Sequence, residues 1–327
     1  MSKKIVFSAI QPTGNLHVGN YLGALKNWVE LQKNPDYDCY FCIADYHAMT
    51  GDKTAQDRRE QIILMGAELL ALGIDPKKST FFVQSHVQEH TELAWIFNTI
   101  TPIAELERMT QYKDKSQKQA KNINTGLLTY PILQAADILM YHGNLVPVGQ
   151  DQVQHVEITR DIARWFNNRY GKYFPETKVL LTETPKIMSL VEPTKKMSKS
   201  YGMNSVLELA DEPEVIFAKL KKAVTATESG EKSPGVENLF LLLKNFAGKA
   251  VYNKFAEAQK NGTIKYGELK EKLAQSISEY FEEFRNDRTQ FLEDRSFLAT
   301  VLSEGEEKAS KIARVTMKEI RNLIGIR

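Results

Sequence analysis

Two cysteines in 327 residues, Cys39 and Cys42, cannot build a disulfide framework. No second pair stands by to complete a tetrahedral zinc site or to ligate an iron–sulfur cluster. The C-x-x-C spacing lies in a strand-like run, where the two thiols point to opposite faces, so both read as small buried hydrophobes. Charge of one sign is not in excess either. The 43 Lys and Arg are nearly matched by 41 Asp and Glu. A nucleic-acid partner is therefore not announced by net charge and would have to be held by local basic patches. No apolar run reaches the ~18 residues of a membrane span. The amino-terminal stretch begins with charge, but its apolar segment is cut short at Pro12, too early for a signal-peptide core. The expectation is a cytoplasmic protein without a membrane anchor. There is no internal repeat and no low-complexity tract.

What is present is ordinary for a globular protein: 42% hydrophobic and 26% charged residues. The length suits two domains. Strand-like runs at 5–10, 39–44 and 80–84 alternate with helical spacing at 21–32 and 55–72. That order predicts a parallel, doubly wound sheet, which binds ligands beyond the carboxyl ends of its strands. Residues 89–166 read mostly helical, punctuated by Pro102 and Pro131, and β-rich segments follow at 178–181 and 184–190. After Gly202 the character changes. Helical spacing dominates 214–224, 236–246, 250–259, 268–285, 288–301 and 306–324, with a loop at 226–234 and Gly305 as a break. The seam is expected near residue 200, dividing a 1–200 α/β domain from a 201–327 all-helical domain.

Two segments carry phosphate chemistry. Gln11-Pro12-Thr13-Gly14-Asn15-Leu16-His17-Val18-Gly19-Asn20 follows the first strand and opens a helix. Backbone N–H groups and the positive helix end are placed where a phosphate could sit. Gly19 lets a nucleotide approach, and His17 can donate to phosphate oxygens. The pattern is neither a dinucleotide fingerprint nor a P-loop, and by itself it is also compatible with a plain glycine turn. Much later, Lys196-Met197-Ser198-Lys199-Ser200 follows Pro193-Thr194-Lys195, with Gly202 available for movement. Three lysines and two hydroxyls so close together suit a departing polyphosphate, although a solvated basic linker has the same composition.

Together these segments resemble the paired signature of class I aminoacyl-tRNA synthetases. Asn20-Tyr21, where the general pattern has a second histidine, is typical of the tryptophanyl family. The similarity runs nearly end to end and includes Glu107-Arg108-Met109-Thr110-Gln111 and Ala223-Val224-Thr225. It implies an α/β, Rossmann-like doubly wound parallel sheet with a helical insertion, followed by an all-helical carboxyl-terminal domain that meets the tRNA anticodon. It implies that L-tryptophan is activated with ATP and passed to tRNA(Trp) by a cytoplasmic homodimer. In that chemistry the tryptophan carboxylate attacks the α-phosphate and no protein nucleophile is needed. His17, Asn20, Lys115, Lys196 and Lys199 would stabilise the developing charge, with Mg2+ carried on the triphosphate and no metal held by the protein alone.

The resemblance also distributes the binding residues. Gln11, Pro12, Thr13, Gly19, Asn20, Ile187, Lys196, Met197, Ser198, Lys199 and Ser200 would meet ATP, and Gly149, Gln150 and Asp151 its ribose side. Relatives often have Glu where this chain has Gln150. In Tyr130-Pro131-Ile132-Leu133-Gln134-Ala135-Ala136-Asp137, Pro131 suits the first turn of a helix. From there Tyr130, Gln134 and Asp137 share one helix face and need partners. The resemblance makes Asp137 the acceptor for the indole N–H, with Gln134 in place of the methionine some relatives carry. Gln152 would help hold the amino acid, while Phe7, His47, Val146 and Val148 would surround the indole. Tyrosyl enzymes tend to place a tyrosine in the first strand, so Phe7 speaks for tryptophan. Lys113, Lys115, Lys118 and Lys121 read from composition as a solvated basic face, and family position alone singles out Lys115. His86, Glu89 and His90 spell an inverted zinc-protease pattern, but it spans a strand-to-helix boundary rather than one helix face. The alternatives are a tyrosyl-specific enzyme and a non-catalytic tryptophan-binding paralogue. The second would not need both phosphate-binding segments.

Overall fold

The computed structural model describes residues 3–51, 53–110, 124–149, 152–181, 185–226 and 233–326. Its strands are β1 (Lys4–Ile10), β2 (Tyr37–Ile43), β3 (Ser79–Val83), β4 (Leu145–Val148) and β5 (Lys178–Leu181). All pair in parallel, in the order β3-β2-β1-β4-β5. Val6, Phe7, Phe41, Ile43, Phe81, Phe82 and Val83 are buried. Such runs, apolar on both faces, are what a sheet covered by crossover helices requires. Helices Ala55–Ala71, Thr125–Met140 and Val153–Tyr170 lie in those crossovers. The chain winds outward from β1 to one side and returns through β4 to the other. The switch point therefore lies between β1 and β4, where a doubly wound sheet opens its ligand crevice. Gln11-Pro12-Thr13 leaves β1 there, and Gly149 leaves β4.

The fold departs from expectation at four places. Residues 145–148, read as part of a helical stretch, form β4. Four residues containing Pro147 are too short to show a period, and Pro147 has no N–H to give a ladder. Among the described residues of 184–190 there is no strand, only an isolated bridge from Met188 to Lys196. Pro131 does not open its helix. That helix starts six residues earlier at Thr125, where the Asn124 side chain accepts from Leu127 N–H at 3.1 Å and supplies the cap. Gly305, finally, is no break: one helix runs unbroken through Arg295–Ile324. A Cβ at Gly305 would lie 1.7 Å from the carbonyl oxygen of Phe81, so glycine is there because the helix backbone rests on β3. Ala309, Ala313, Met317 and Ile320 continue the seam, fully buried.

The chain packs as two compact units. One comprises Met1–Gly14, Asn27–Glu183 and Phe291–Arg327; the other comprises Asn15–Lys26 and Thr184–Gln290. The seam expected near residue 200 is a single cut along the chain, whereas each unit is assembled from separated stretches. The first unit holds the sheet and the Arg295–Ile324 helix. The second holds helices Pro213–Lys221, Pro234–Phe246, Gly248–Lys260 and Tyr266–Tyr280. Cys39 and Cys42 are buried and unbonded, three residues apart on β2 and so on opposite faces of the sheet. No helix among the described residues is long and apolar enough to cross a membrane.

Gly305→Ala should force the long helix off β3. We expect a loss of about 3 kcal/mol or more, seen as a lowered midpoint in thermal or urea unfolding. An unchanged midpoint would contradict the close packing of this helix on the sheet.

Candidate active site

In the first unit the chemistry gathers on Asp137, which is 1% exposed on the Thr125–Met140 helix. Gln84, at the end of β3, donates its amide to both carboxylate oxygens at 2.8 Å. The N–H of Tyr46 donates to the Gln84 carbonyl oxygen at 3.1 Å, which turns the amide NH2 toward Asp137. His47 Nε2 meets Oδ2 at 2.9 Å, and His90 Nδ1 meets Oδ1 at 2.6 Å. A carboxylate can only accept, so both ring nitrogens donate. The other nitrogen of His90 lies 2.7 Å from the Tyr141 hydroxyl. Burial holds the Tyr141 phenol well above its ordinary value, so the hydroxyl facing His90 keeps its proton. Burial pushes the Asp137 carboxyl upward, but the His47 and His90 hydrogen bonds and charges outweigh it and hold the group below its ordinary value. The result is a buried anion enclosed by three donors.

Around it, Tyr130 places its hydroxyl 2.9 Å from His155 Nε2, and its ring meets His47 edge-on. Phe7 is buried and stacks on Tyr141 at 5.9 Å between centroids, beneath Asp137's network rather than open to solvent. Val146 is buried; Val148, Gln134 and Gln152 are half-buried. Sequence reasoning missed Gln84, His90 and Tyr141. His90 was weighed only as a metal ligand. In fact His86 faces Glu306 at 3.3 Å while His90 faces Asp137, so the two histidines do not converge.

The second unit brings the two phosphate-binding segments together. His17 caps the turn Val18–Asn20: its Nδ1 accepts from Asn20 N–H at 3.3 Å, and Asn20 Oδ1 accepts from His17 N–H at 3.1 Å. A Cβ on Gly19 would lie 2.9 Å from the His17 ring, so glycine makes room for the capping imidazole. Because Nδ1 accepts, the ring proton of neutral His17 sits on Nε2, ready to donate. Burial first, then Lys199 and Lys196 against the opposing pull of Glu208, lower the His17 pKa to about 4. Met197 N–H donates to the Ile187 carbonyl at 3.0 Å, and Ser198 Oγ accepts from Ser200 N–H at 3.3 Å. Lys196 is exposed and Met197 buried. Lys199 Nζ reaches back to the Asn15 carbonyl at 2.8 Å and to Glu208 Oε1 at 2.9 Å. Gln11 and Thr13 are accessible and Pro12 is buried, in the first unit. Lys115, Gln150 and Asp151 lie outside the described residues, as do Gln111, Lys113, Lys118 and Lys121.

A Lys-Met-Ser-Lys-Ser loop folded back on a His-x-Gly turn is the arrangement of class I aminoacyl-tRNA synthetases. The chain belongs to their tryptophan and tyrosine branch, for residues 2–282 match the family described as tRNA synthetases class I (W and Y). A tryptophan--tRNA ligase of Clostridium tetani is 44% identical over 330 residues, 99% of this chain and 96% of that relative. A Campylobacter jejuni tryptophanyl-tRNA synthetase, solved with ADP and tryptophan, matches at a TM-score of 0.87 and 36% identity, over 98% of this chain and 99% of that one. The Mycoplasma pneumoniae enzyme matches at a TM-score of 0.87 and 32% identity, over 100% and 99%.

His17 should titrate near pH 4, not near 6.5. A depressed folded pKa means that the unfolded chain takes up the proton first. Stability from this group is present above about 6.5 and is lost as pH falls toward 4. Ring-proton NMR, assigned with His17→Asn, checks this; a midpoint near 6.5 would contradict the buried, capped geometry.

Proposed function

We infer that this chain activates L-tryptophan with ATP, forming tryptophanyl-adenylate and pyrophosphate, and transfers the tryptophanyl group to tRNA(Trp). The observation that carries the reading is the meeting of the two signature segments at the Lys199–Asn15 contact of 2.8 Å, within a chain 44% identical to a tryptophan--tRNA ligase along nearly its whole length. A tyrosine-specific enzyme and a non-catalytic binder are both less consistent with that pair of findings.

The chemistry is positioning and charge stabilisation. The tryptophan carboxylate oxygen attacks the α-phosphorus in line, and the bond to the pyrophosphate oxygen breaks. Neutral His17 offers Nε2–H to a phosphate oxygen. Lys196 and Lys199, with Lys115, neutralise the departing pyrophosphate. Asn20 keeps His17 in its working tautomer. Gln11, Pro12, Thr13, Gly149, Gln150, Asp151, Ile187, Met197, Ser198 and Ser200 complete the ATP site. Among the described residues no group of three or more His, Cys, Asp or Glu side chains stands together to hold an ion. Mg2+ is assigned to the triphosphate, where it would offset phosphate charge.

Asp137 is the acceptor for the indole N–H, which can only donate. Gln84 and His90 are 0% exposed and His47 is 8% exposed. His47 is thus the least enclosed of the three donors, and the indole is assigned to the Oδ2 side of the carboxylate, beside it. Tyr130, Gln134, Gln152, Phe7, Val146 and Val148 shape the pocket. Residues 1–200 supply the groups that meet the substrates; within the helical 201–327 segment the anticodon falls to the helices before Phe291, because Phe291–Arg327 packs with the sheet, in a cytoplasmic homodimer.

Tryptophan-dependent ATP–pyrophosphate exchange tests the function, with tyrosine and phenylalanine in parallel. Exchange with tryptophan alone is expected. Exchange with tyrosine, or with none of the three by folded protein, would overturn the reading. Asp137→Asn should raise the tryptophan KM ~100-fold, for a buried polar contact of about 3 kcal/mol, and leave the ATP KM nearly unchanged. Equal losses for both substrates would remove Asp137 from the tryptophan site. Lys196→Ala and Lys199→Ala should each lower kcat by roughly 10²–10³ with little change in tryptophan KM. Unaltered rates would refute their role.

A further inference from the structure

Glu208 belongs to neither signature segment, yet it touches both. Its backbone bridges antiparallel to His17. On either side, Val18 N–H donates to Leu207 and Leu209 N–H donates to the Leu16 carbonyl, each at 2.9 Å. The neighbouring Leu207 and Leu209 side chains are fully buried, which fixes the segment in depth. Alternation along this short extended stretch then sends the Glu208 side chain to the side opposite those leucines. There Oε2 accepts from Asn15 Nδ2 at 2.7 Å, and Oε1 accepts from the Lys199 ammonium at 2.9 Å.

The carboxylate is itself held. Asp211 accepts from Glu208 N–H at 2.9 Å, and buried Lys219 pairs with Asp211 at 2.6 Å. Burial raises the Glu208 carboxyl, but the bonds from Asn15 and Lys199 outweigh it, so the side chain is a charged acceptor at neutral pH. Glu208 is 7% exposed. A lysine stem has four rotatable carbons and loses considerable freedom when its end is fixed. Here much of that freedom is taken up within the protein, because two of the three ammonium hydrogens are committed to Glu208 and the Asn15 carbonyl. The Lys199 side chain remains 29% exposed, which leaves the third hydrogen a way out to an incoming oxygen.

We propose that Glu208 is a positioning residue for Lys199, holding its ammonium against the His17 turn so that it meets the phosphates of ATP without a search. This rests on the ligase reading. It assigns Glu208 no contact with substrate. The charge matters as much as the shape, since a hydrogen bond between ions is about twice as strong as a neutral one.

The test is a double-mutant cycle on tryptophan-dependent ATP–pyrophosphate exchange. Glu208→Gln keeps the volume and removes the charge. We expect kcat to fall about tenfold, within the range that ångström-scale misplacement produces, while the tryptophan KM stays put. In a Lys199→Ala background the same change should cost less than about twofold, because the group it positions is gone. Glu208→Ala should behave alike with a larger loss in the wild-type background. A merely structural glutamate would lower the rate by the same factor in both backgrounds, and that result overturns the proposal. So does an unchanged kcat in Glu208→Gln. If Glu208→Ala fails to fold, the isosteric variant alone decides. An inactive wild-type protein would sink the ligase reading and this inference together; an active one with unaffected variants would sink this inference alone.

Discussion

A charged carboxylate with 1% exposure is the constraint around which the first unit is organised. An unpaired buried charge costs several kcal/mol, so Asp137 can stay ionised only if its surroundings are built to donate. Three separate pieces of chain supply the donors: Gln84 from the end of β3, His47 from the short helix Asp45–Ala48, and His90 from the helix Glu89–Asn98. Each donor is itself fixed. The Tyr46 N–H orients the Gln84 amide, and the Tyr141 hydroxyl holds the far ring nitrogen of His90. Phe7, Tyr40 and Phe82 all pack against the Tyr141 ring, whose hydroxyl meets His90. On the proposed reading, the same network would give specificity its physical basis, for a buried acceptor discriminates by what its ligand can donate.

The second unit answers a different demand, and on the proposed reading it is that of handling a polyphosphate without spending protein charge at random. One imidazole is kept neutral by burial and by two nearby lysines, and its cap on Asn20 leaves the proton on Nε2. A lysine from a distant loop is brought to the same turn. Cation and neutral donor thus stand side by side without both carrying charge, which would make each harder to bury.

Much of this was legible in the sequence, and the exceptions share a cause. β1, β2, β3 and β5 showed as apolar or β-rich runs, and the two signature segments, each ambiguous by composition, became legible as a pair through their family resemblance. Helical spacing set Asp137 on one face with Tyr130 and Gln134, and the family resemblance singled it out. Its partners did not: Gln84, His90 and Tyr141 are scattered over the chain, and no local pattern marks a residue whose role is to donate to a carboxylate dozens of residues away. Glu208 is invisible for the same reason. Gly305 was misread because a glycine in a helical pattern looks like a terminator, whereas its reason is the Phe81 carbonyl across the packing interface. β4 was hidden by brevity and by Pro147. Local rules find elements; they do not find what one element demands of another.

The account turns on Asp137 being charged and being what tryptophan meets. The most direct measurement is the 13C side-chain carboxyl resonance of Asp137, assigned with Asp137→Asn and followed through acid pH with and without tryptophan. The account predicts an ionised carboxylate that persists below the ordinary aspartate range near 3.8, and a shift when tryptophan but not tyrosine is added. A resonance that protonates above that range, or one indifferent to tryptophan, would contradict it.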